Sequence, residues 1–135
     1  MNLNPYLHFN GDAEQVLEFY SKALGAEVSM VSRYKDAPMP CEDADKNKIM
    51  HARLTFEGNL IMVSDCPSTF ALEKGNNIQL SISVNDANKM EVMFNNMAEG
   101  GAITMPLADQ FWGAKFGMLK DKFGIGWMFN CELKK

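Results

Sequence analysis

Residues 109–130 read DQFWGAKFGMLKDKFGIGWMFN and hold both tryptophans of the chain, four of its nine phenylalanines and four of its ten glycines. Residues 114–120 and 125–131 form two extended segments joined by a glycine-containing turn at Gly124. Aromatics of this size on paired strands face a core or a pocket, since each can remove a large apolar area from water. No His, Asp or Glu stands in the stretch at a spacing that builds a catalytic site. The reading it supports is structural.

Working upstream, a strand at 102–108 precedes this hairpin, and before it come a strand at 77–84, Asp86 as a helix N-cap, and a stripe of Met90, Phe94, Met97 and Ala98. Gly100-Gly101 ends that helix. The first half of the chain runs in the same order. A short strand at 3–9 carries Pro5 near its start, and Asp12 with Gln15 forms a capping-box-like pair. Val16, Leu17, Tyr20, Ala23 and Leu24 then recur at helical spacing up to Gly25. Strands follow at 27–34, 49–56 and 59–65, with Glu57-Gly58 as a hairpin turn and a charged, proline-containing loop at 35–48.

Laid over each other, the halves match Asp12 with Asp86, Phe19 with Phe94, Gly25 with Gly100 and Val28 with Ile103. The offset of about 75 residues exceeds the usual solenoid period, so duplication of one module fits better. The fold expected is α+β: two βαβββ modules, about residues 1–67 and 76–135, forming one curved, cup-like mixed sheet with helices on the outer face. At 135 residues the chain is expected to be a single domain.

Strand alternation sorts the faces. Ile78, Leu80, Ile82 and Val84 are expected against the helix, with Gln79, Ser81 and Ser83 opposite. Met50, Ala52, Leu54 and Phe56 pack likewise, leaving His51, Arg53 and Thr55 on the open face. His8 is out of phase with Pro5 and is expected towards the helix, and Trp127, out of phase with Met128, in the core.

A formal net charge of −4 without a Lys/Arg cluster argues against nucleic acid, whose affinity comes mainly from phosphate neutralisation. No apolar run approaches the roughly 20 residues of a membrane span, and the N-terminus lacks the basic and apolar regions of a secretory signal. Cys41, Cys66 and Cys131 are odd in number and form no CxxC pair, so free thiols and a cytoplasmic location are expected. Neither a GxGxxG nor a parallel βαβ series is present, which argues against a nucleotide-type cofactor. The eleven methionines are read as adaptable core filler.

The opening PYLHFNGDAEQVLEFYSKALGAE and the closing FWGAKFGMLKDKFGIGWMFNCE together resemble the PhnB-like branch of the glyoxalase/bleomycin-resistance/extradiol-dioxygenase, or vicinal oxygen chelate, superfamily. The resemblance covers nearly the whole chain, and members often bear the description 3-demethylubiquinone 3-methyltransferase domain. Relatives resembling glyoxalase I hold a divalent metal on the floor of the cup through His and Glu from two strands of each module. The matching positions here are Pro5, Met62, Gln79 and Met128. Such metals want imidazole and carboxylate, which proline and a thioether cannot replace. No metal and no other cofactor is therefore expected.

What remains on the cup face is the candidate site. His51 could orient a ligand or serve as a general acid/base, with a solvated strand histidine as the alternative. Arg53, Met62, Gln79 and Met128 are expected to line a ligand site beside it. Phe111, Trp112 and Phe116 could rim a pocket for a planar or apolar ligand, or bury in a dimer interface. Cys66 has no visible base beside it, as an activated nucleophile would need. The expected function is metal-independent small-molecule binding by a homodimer. The alternative is a lyase, isomerase or dioxygenase-type enzyme that uses a displaced metal or His51. A methyltransferase reaction is not expected.

Overall fold

The computed structural model describes residues 1–133. The chain divides into two compact units, Met1–Glu73 and Lys74–Lys135, each with its own four-stranded sheet.

In the first unit the order is β1 (Tyr6–Phe9), α1 (Ala13–Leu24), β2 (Glu27–Arg33), β3 (Ile49–Phe56) and β4 (Asn59–Asp65). The strands lie in the order β1-β4-β3-β2, with β1 parallel to β4 and the other pairs antiparallel. Val16, Leu17, Tyr20 and Leu24 of α1 are buried on one helical stripe, and the buried strand residues include Phe9, Ile49, Ala52, Leu54, Ile61 and Val63. The β3–β4 connection is tight because Glu57 and Gly58 both take positive φ, 48° and 79°. That pair of angles matches the twist of the flanking strands.

Two expectations fail at the start of this unit. The strand begins at Tyr6, not residue 3, and Pro5 enters the ladder only through its carbonyl, which accepts from the Met62 N–H at 3.0 Å. Phase must therefore be counted from Tyr6. Phe9 is buried, while His8 lies opposite it, in register with Ser64 and stacked on Tyr6 at 4.7 Å between ring centroids. His8 is thus not on the helix side. The second failure is the capping box: Asp12 makes no side-chain cap bond. Asp65, buried at the end of the neighbouring β4, holds the entry to the helix instead. Its Oδ1 accepts from the N–H groups of Gly11 (2.8 Å) and Ala13 (3.0 Å), and its Oδ2 from that of Ile49 (3.0 Å).

The second unit repeats the plan with β5 (Gln79–Ser83), α2 (Ala87–Ala98), β6 (Ala102–Asp109), β7 (Ala114–Lys120) and β8 (Gly126–Glu132). Its strands lie in the order β5-β8-β7-β6, and again only the β5–β8 pair is parallel. Here the sequence-read cap holds, for Asp86 Oδ1 accepts from Asn88 and Lys89 N–H at 2.9 and 3.1 Å. Met90, Met93, Phe94 and Met97 form the buried stripe, and Phe94 meets Phe129 of β8 edge-on at 5.5 Å. Each such side chain contributes roughly 1.5–3 kcal/mol by leaving water. Leu80, Ile82 and Val84 are partly covered as the alternation predicts, but Ile78 lies ahead of β5 and is exposed.

The correspondence between the halves has a physical basis. Gly25 and Gly100 both end their helices with positive φ, 67° and 75°, a conformation that costs other residues more. Val28 and Ile103 occupy equivalent ladder positions, opposite Leu54 and Leu119, and a register shift follows in both β2 and β6.

The opening stretch resolves into a hairpin held by one buried carboxylate. Asp121 Oδ1 accepts from the N–H groups of Phe123 (2.9 Å) and Ile125 (3.0 Å), and its Oδ2 from the indole Nε1–H of Trp127 (2.9 Å). Trp127 is 1% exposed and lies in the core.

Candidate functional site

The face of each sheet turned away from its helix carries the polar side chains. On the first sheet, register places Tyr6 beside Met62 and Met62 beside Arg53, while His8 sits beside Ser64. The Tyr6 hydroxyl lies 2.9 Å from His51 Nδ1, and the rings meet edge-on at 5.7 Å. His8 Nδ1 is 2.9 Å from Ser64 Oγ. Strand geometry thus gathers Tyr6, His8, His51, Arg53, Met62 and Ser64 on one surface. His51, Arg53 and Met62 were expected together. Tyr6 and His8 were missed because phase was counted from a proline outside the strand, whereas Ser64, two residues beyond Met62 on β4, follows from the alternation and was not drawn from it.

His51 is paired with a phenol, not with a carboxylate. A general base is usually oriented by an anionic or strongly accepting group, and among the described residues Tyr6 is its hydrogen-bond partner. Arg53 is half-buried and forms no ion pair among the described residues, and its Nε is buried without an acceptor.

A cleft of about 690 Å³ opens at the ends of β1 and β4, lined by His8, Tyr34, Ser64, Cys66, Phe70 and Leu72 among others. The Tyr34 hydroxyl donates to the Asp65 carbonyl at 2.7 Å, and burial pushes its pKa up. Burial also raises the Cys66 thiol, and the neighbouring Asp65 charge adds to the shift. A thiol held protonated in this way is a poor nucleophile.

On the second sheet, Gln79 pairs with Gly126, Ser81 with Met128, and Met128 in turn with Met118, while Phe116 pairs with Asn130. Gln79, Met128 and Phe116 therefore share one face. Gln79 lies over Gly126 so closely that a Cβ there would come within 3.1 Å of Gln79 Cγ. Phe111 and Trp112 are not in this row. They form the β6–β7 turn, 98% and 51% exposed, with Trp112 edge-on to Phe116 at 5.7 Å.

The donor set does not fit the divalent metal that the resemblance implies. Met62 and Met128 offer thioethers, Gln79 a neutral amide, and Pro5 has no side-chain donor. Among the described residues, no three of His, Cys, Asp or Glu cluster where they could hold a metal ion. The strand-to-helix turns, of which only the first contains a glycine (Gly11), are also occupied. Asp65 takes N–H groups at the start of α1, and Asp86 those at the start of α2. No helix is long and apolar enough to cross a membrane among the described residues.

The whole chain is similar in fold to the glyoxylase/bleomycin resistance protein/dioxygenase domain from Frankia sp. EAN1pec, with 14% identity and a TM-score of 0.71 over 99% of this chain and 93% of that one. Paired βαβββ units and this likeness define the class: an α+β protein of the glyoxalase fold. Within that class the chain belongs to the family described as 3-demethylubiquinone-9 3-methyltransferase, whose model matches residues 1–129. It is 33% identical to Protein YjdN of Escherichia coli K12 over 96% of this chain and 95% of that protein. It is also 38% identical to protein PA1353 from Pseudomonas aeruginosa, a solved structure matched with a TM-score of 0.91 over 99% of both chains.

Proposed function

We propose that this protein binds a small molecule without a metal, through the polar open faces of its sheets, and that it works as a cytoplasmic homodimer. The observation that carries the reading is that Met62, Gln79 and Met128 stand on the open faces of their sheets where the resemblance calls for imidazole or carboxylate, and that Pro5, the fourth such position, contributes only its backbone carbonyl to the ladder. His51, Arg53, Met62, Gln79, Met128 and Phe116 are the ligand-contacting residues, with Phe111 and Trp112 at the rim. A concave, partly apolar surface with a few convergent polar groups is the usual form of such a site.

The pairing of His51 with Tyr6 supports binding over catalysis, because it supplies no carboxylate to raise the basicity of the imidazole. Methyl transfer from a nucleotide-type donor fits poorly. The backbone N–H groups that could cradle such a donor already serve Asp65 and Asp86. The test has two parts. Metal analysis of protein purified without chelator is expected to find no stoichiometric divalent ion, and one bound tightly would sink the reading. A thermal-shift screen of metabolites and planar antibiotics is expected to find at least one stabilising ligand, since a ligand at a hundred times its Kd adds about 2.7 kcal/mol.

A further inference from the structure

We infer that the ligand carries an oxyanion, a carboxylate or a phosphoryl group, and that Arg53 and His51 receive it. This rests on the small-molecule reading above and narrows it to one chemistry.

The chain has two arginines, and the structure treats them differently. Arg33 is answered within its own unit: its Nη1 and Nη2 bond the Glu14 carboxylate at 3.2 and 3.0 Å, and Nη1 also donates to the Asn47 carbonyl at 2.7 Å. Arg53 has no such answer. It sits in the middle of β3, flanked in register by Ser29 on one side and Met62 on the other, neither of them charged. Its Nε is buried with no acceptor. The carboxylate nearest in the ladder is Glu27, opposite Thr55 on the same face, and it forms no ion pair with Arg53. A charged donor removed from water and left unbonded is destabilising, and proteins keep such groups where something else completes them.

His51 adds a second donor on the same face. Residues two apart on a strand point the same way with Cα atoms about 7 Å apart. The Tyr6 hydroxyl lies against His51 Nδ1, and when it donates there the ring proton sits on Nε2. Arg53 and His51 then present only donors, and Met62 between Arg53 and Tyr6 contributes no competing acceptor of strength. A guanidinium fork matches the two oxygens of a carboxylate or phosphoryl group bidentately.

Nuclear magnetic resonance titration of the full chain with benzoate, phenyl phosphate and the neutral benzamide tests this. The expected result is shifts at the Arg53 Nε–Hε and the His51 ring, with the better oxyanion binding at least tenfold tighter than benzamide. The ranking of benzoate against phenyl phosphate tells carboxylate from phosphoryl. Arg53→Met should weaken the oxyanions tenfold or more, weaken the neutral benzamide far less, and hold or raise the unfolding midpoint. Binding of both benzoate and phenyl phosphate no tighter than benzamide by the unaltered protein, a comparison that needs no variant, would overturn the inference while leaving the small-molecule reading intact. Oxyanion binding undiminished in Arg53→Met would do the same. Silence on this face from all three probes, together with an empty metabolite screen, would overturn both.

Discussion

Asp121→Asn is the substitution with the most direct consequence for the fold. The side chain keeps its shape, but its acceptor capacity changes in a way the hairpin can feel. Oδ1 receives both backbone donors, from Phe123 and Ile125, whereas Oδ2 receives the Trp127 indole. An asparagine can keep its oxygen towards the two backbone groups. Its NH2 then faces the indole N–H, donor against donor, in a site that is 3% exposed. Hydrogen bonds to charged groups contribute about 1.5–3 kcal/mol each, and an orphaned buried donor costs about 1–3 kcal/mol. The loss expected for Asp121→Asn is therefore about 2–4 kcal/mol. Asp121→Ala, which orphans all three donors, should cost about twice that, a large share of a typical stability of about 5–15 kcal/mol.

Urea unfolding followed by circular dichroism measures these losses, and the indole N–H resonance of Trp127 reports the bond itself. A double-mutant cycle with Trp127→Phe isolates the pair, with a coupling of about 1–3 kcal/mol expected. If Asp121→Asn unfolds within about 0.5 kcal/mol of the unaltered protein, a surface-like effect, the carboxylate does not hold the hairpin and the reasoning fails.

The helix starts give a contrasting set. Asp86→Ala should cost about 1 kcal/mol, as loss of a true N-cap does, whereas Asp12→Ala should cost within about 0.5 kcal/mol because its side chain caps nothing. Asp65→Ala should exceed both, since it strands three backbone donors, and equal losses at Asp12 and Asp65 in urea titrations would contradict the structure. Acid unfolding probes Asp45, whose carboxyl is held below its ordinary 3.8 first by the Ser68 N–H and then by Lys48, at 3.0 and 2.9 Å. A depressed folded-state value means that its contribution is complete above pH 3.8 and disappears as pH falls through the lower folded value. Asp45→Asn should therefore flatten the stability profile below about pH 4, and a profile unchanged in that range would refute the role.

Much of the fold was legible because backbone rules act locally. The strands at 49–56 and 59–65 follow directly from alternation around Glu57-Gly58, and Gly25 and Gly100 mark both helix ends. The Asp12 error shows where local reading stops. Asp followed three residues later by Gln is a fair capping signature, but Asp65 arrives from a strand more than fifty residues away and fixes the entry to the helix through the Gly11 and Ala13 N–H groups on either side of Asp12. Nothing in the neighbourhood of Asp12 announces that competitor. His8 was misplaced for a simpler reason: Pro5 lies outside the ladder's side-chain register, so a phase counted from it is inverted by one residue.

The candidate site was legible only through alternation, and there is a physical reason that motifs did not show it. A carboxylate that already accepts three hydrogen bonds has little capacity left for a metal or a substrate. Asp65 and Asp121 are in that condition, and Asp121 anchors the very stretch whose aromatics make the chain recognisable. Conspicuous sequence here reports residues that the fold has consumed. The residues proposed to meet a ligand are ones the backbone leaves turned away from the helices: His51 and Arg53 on the first sheet, Gln79, Met128 and Phe116 on the second. Stability and binding should therefore separate by substitution. Changes at Asp65 and Asp121 lower the unfolding free energy wherever the ligand goes, and a change at Arg53 alters ligand affinity while leaving the hairpins and helix caps in place.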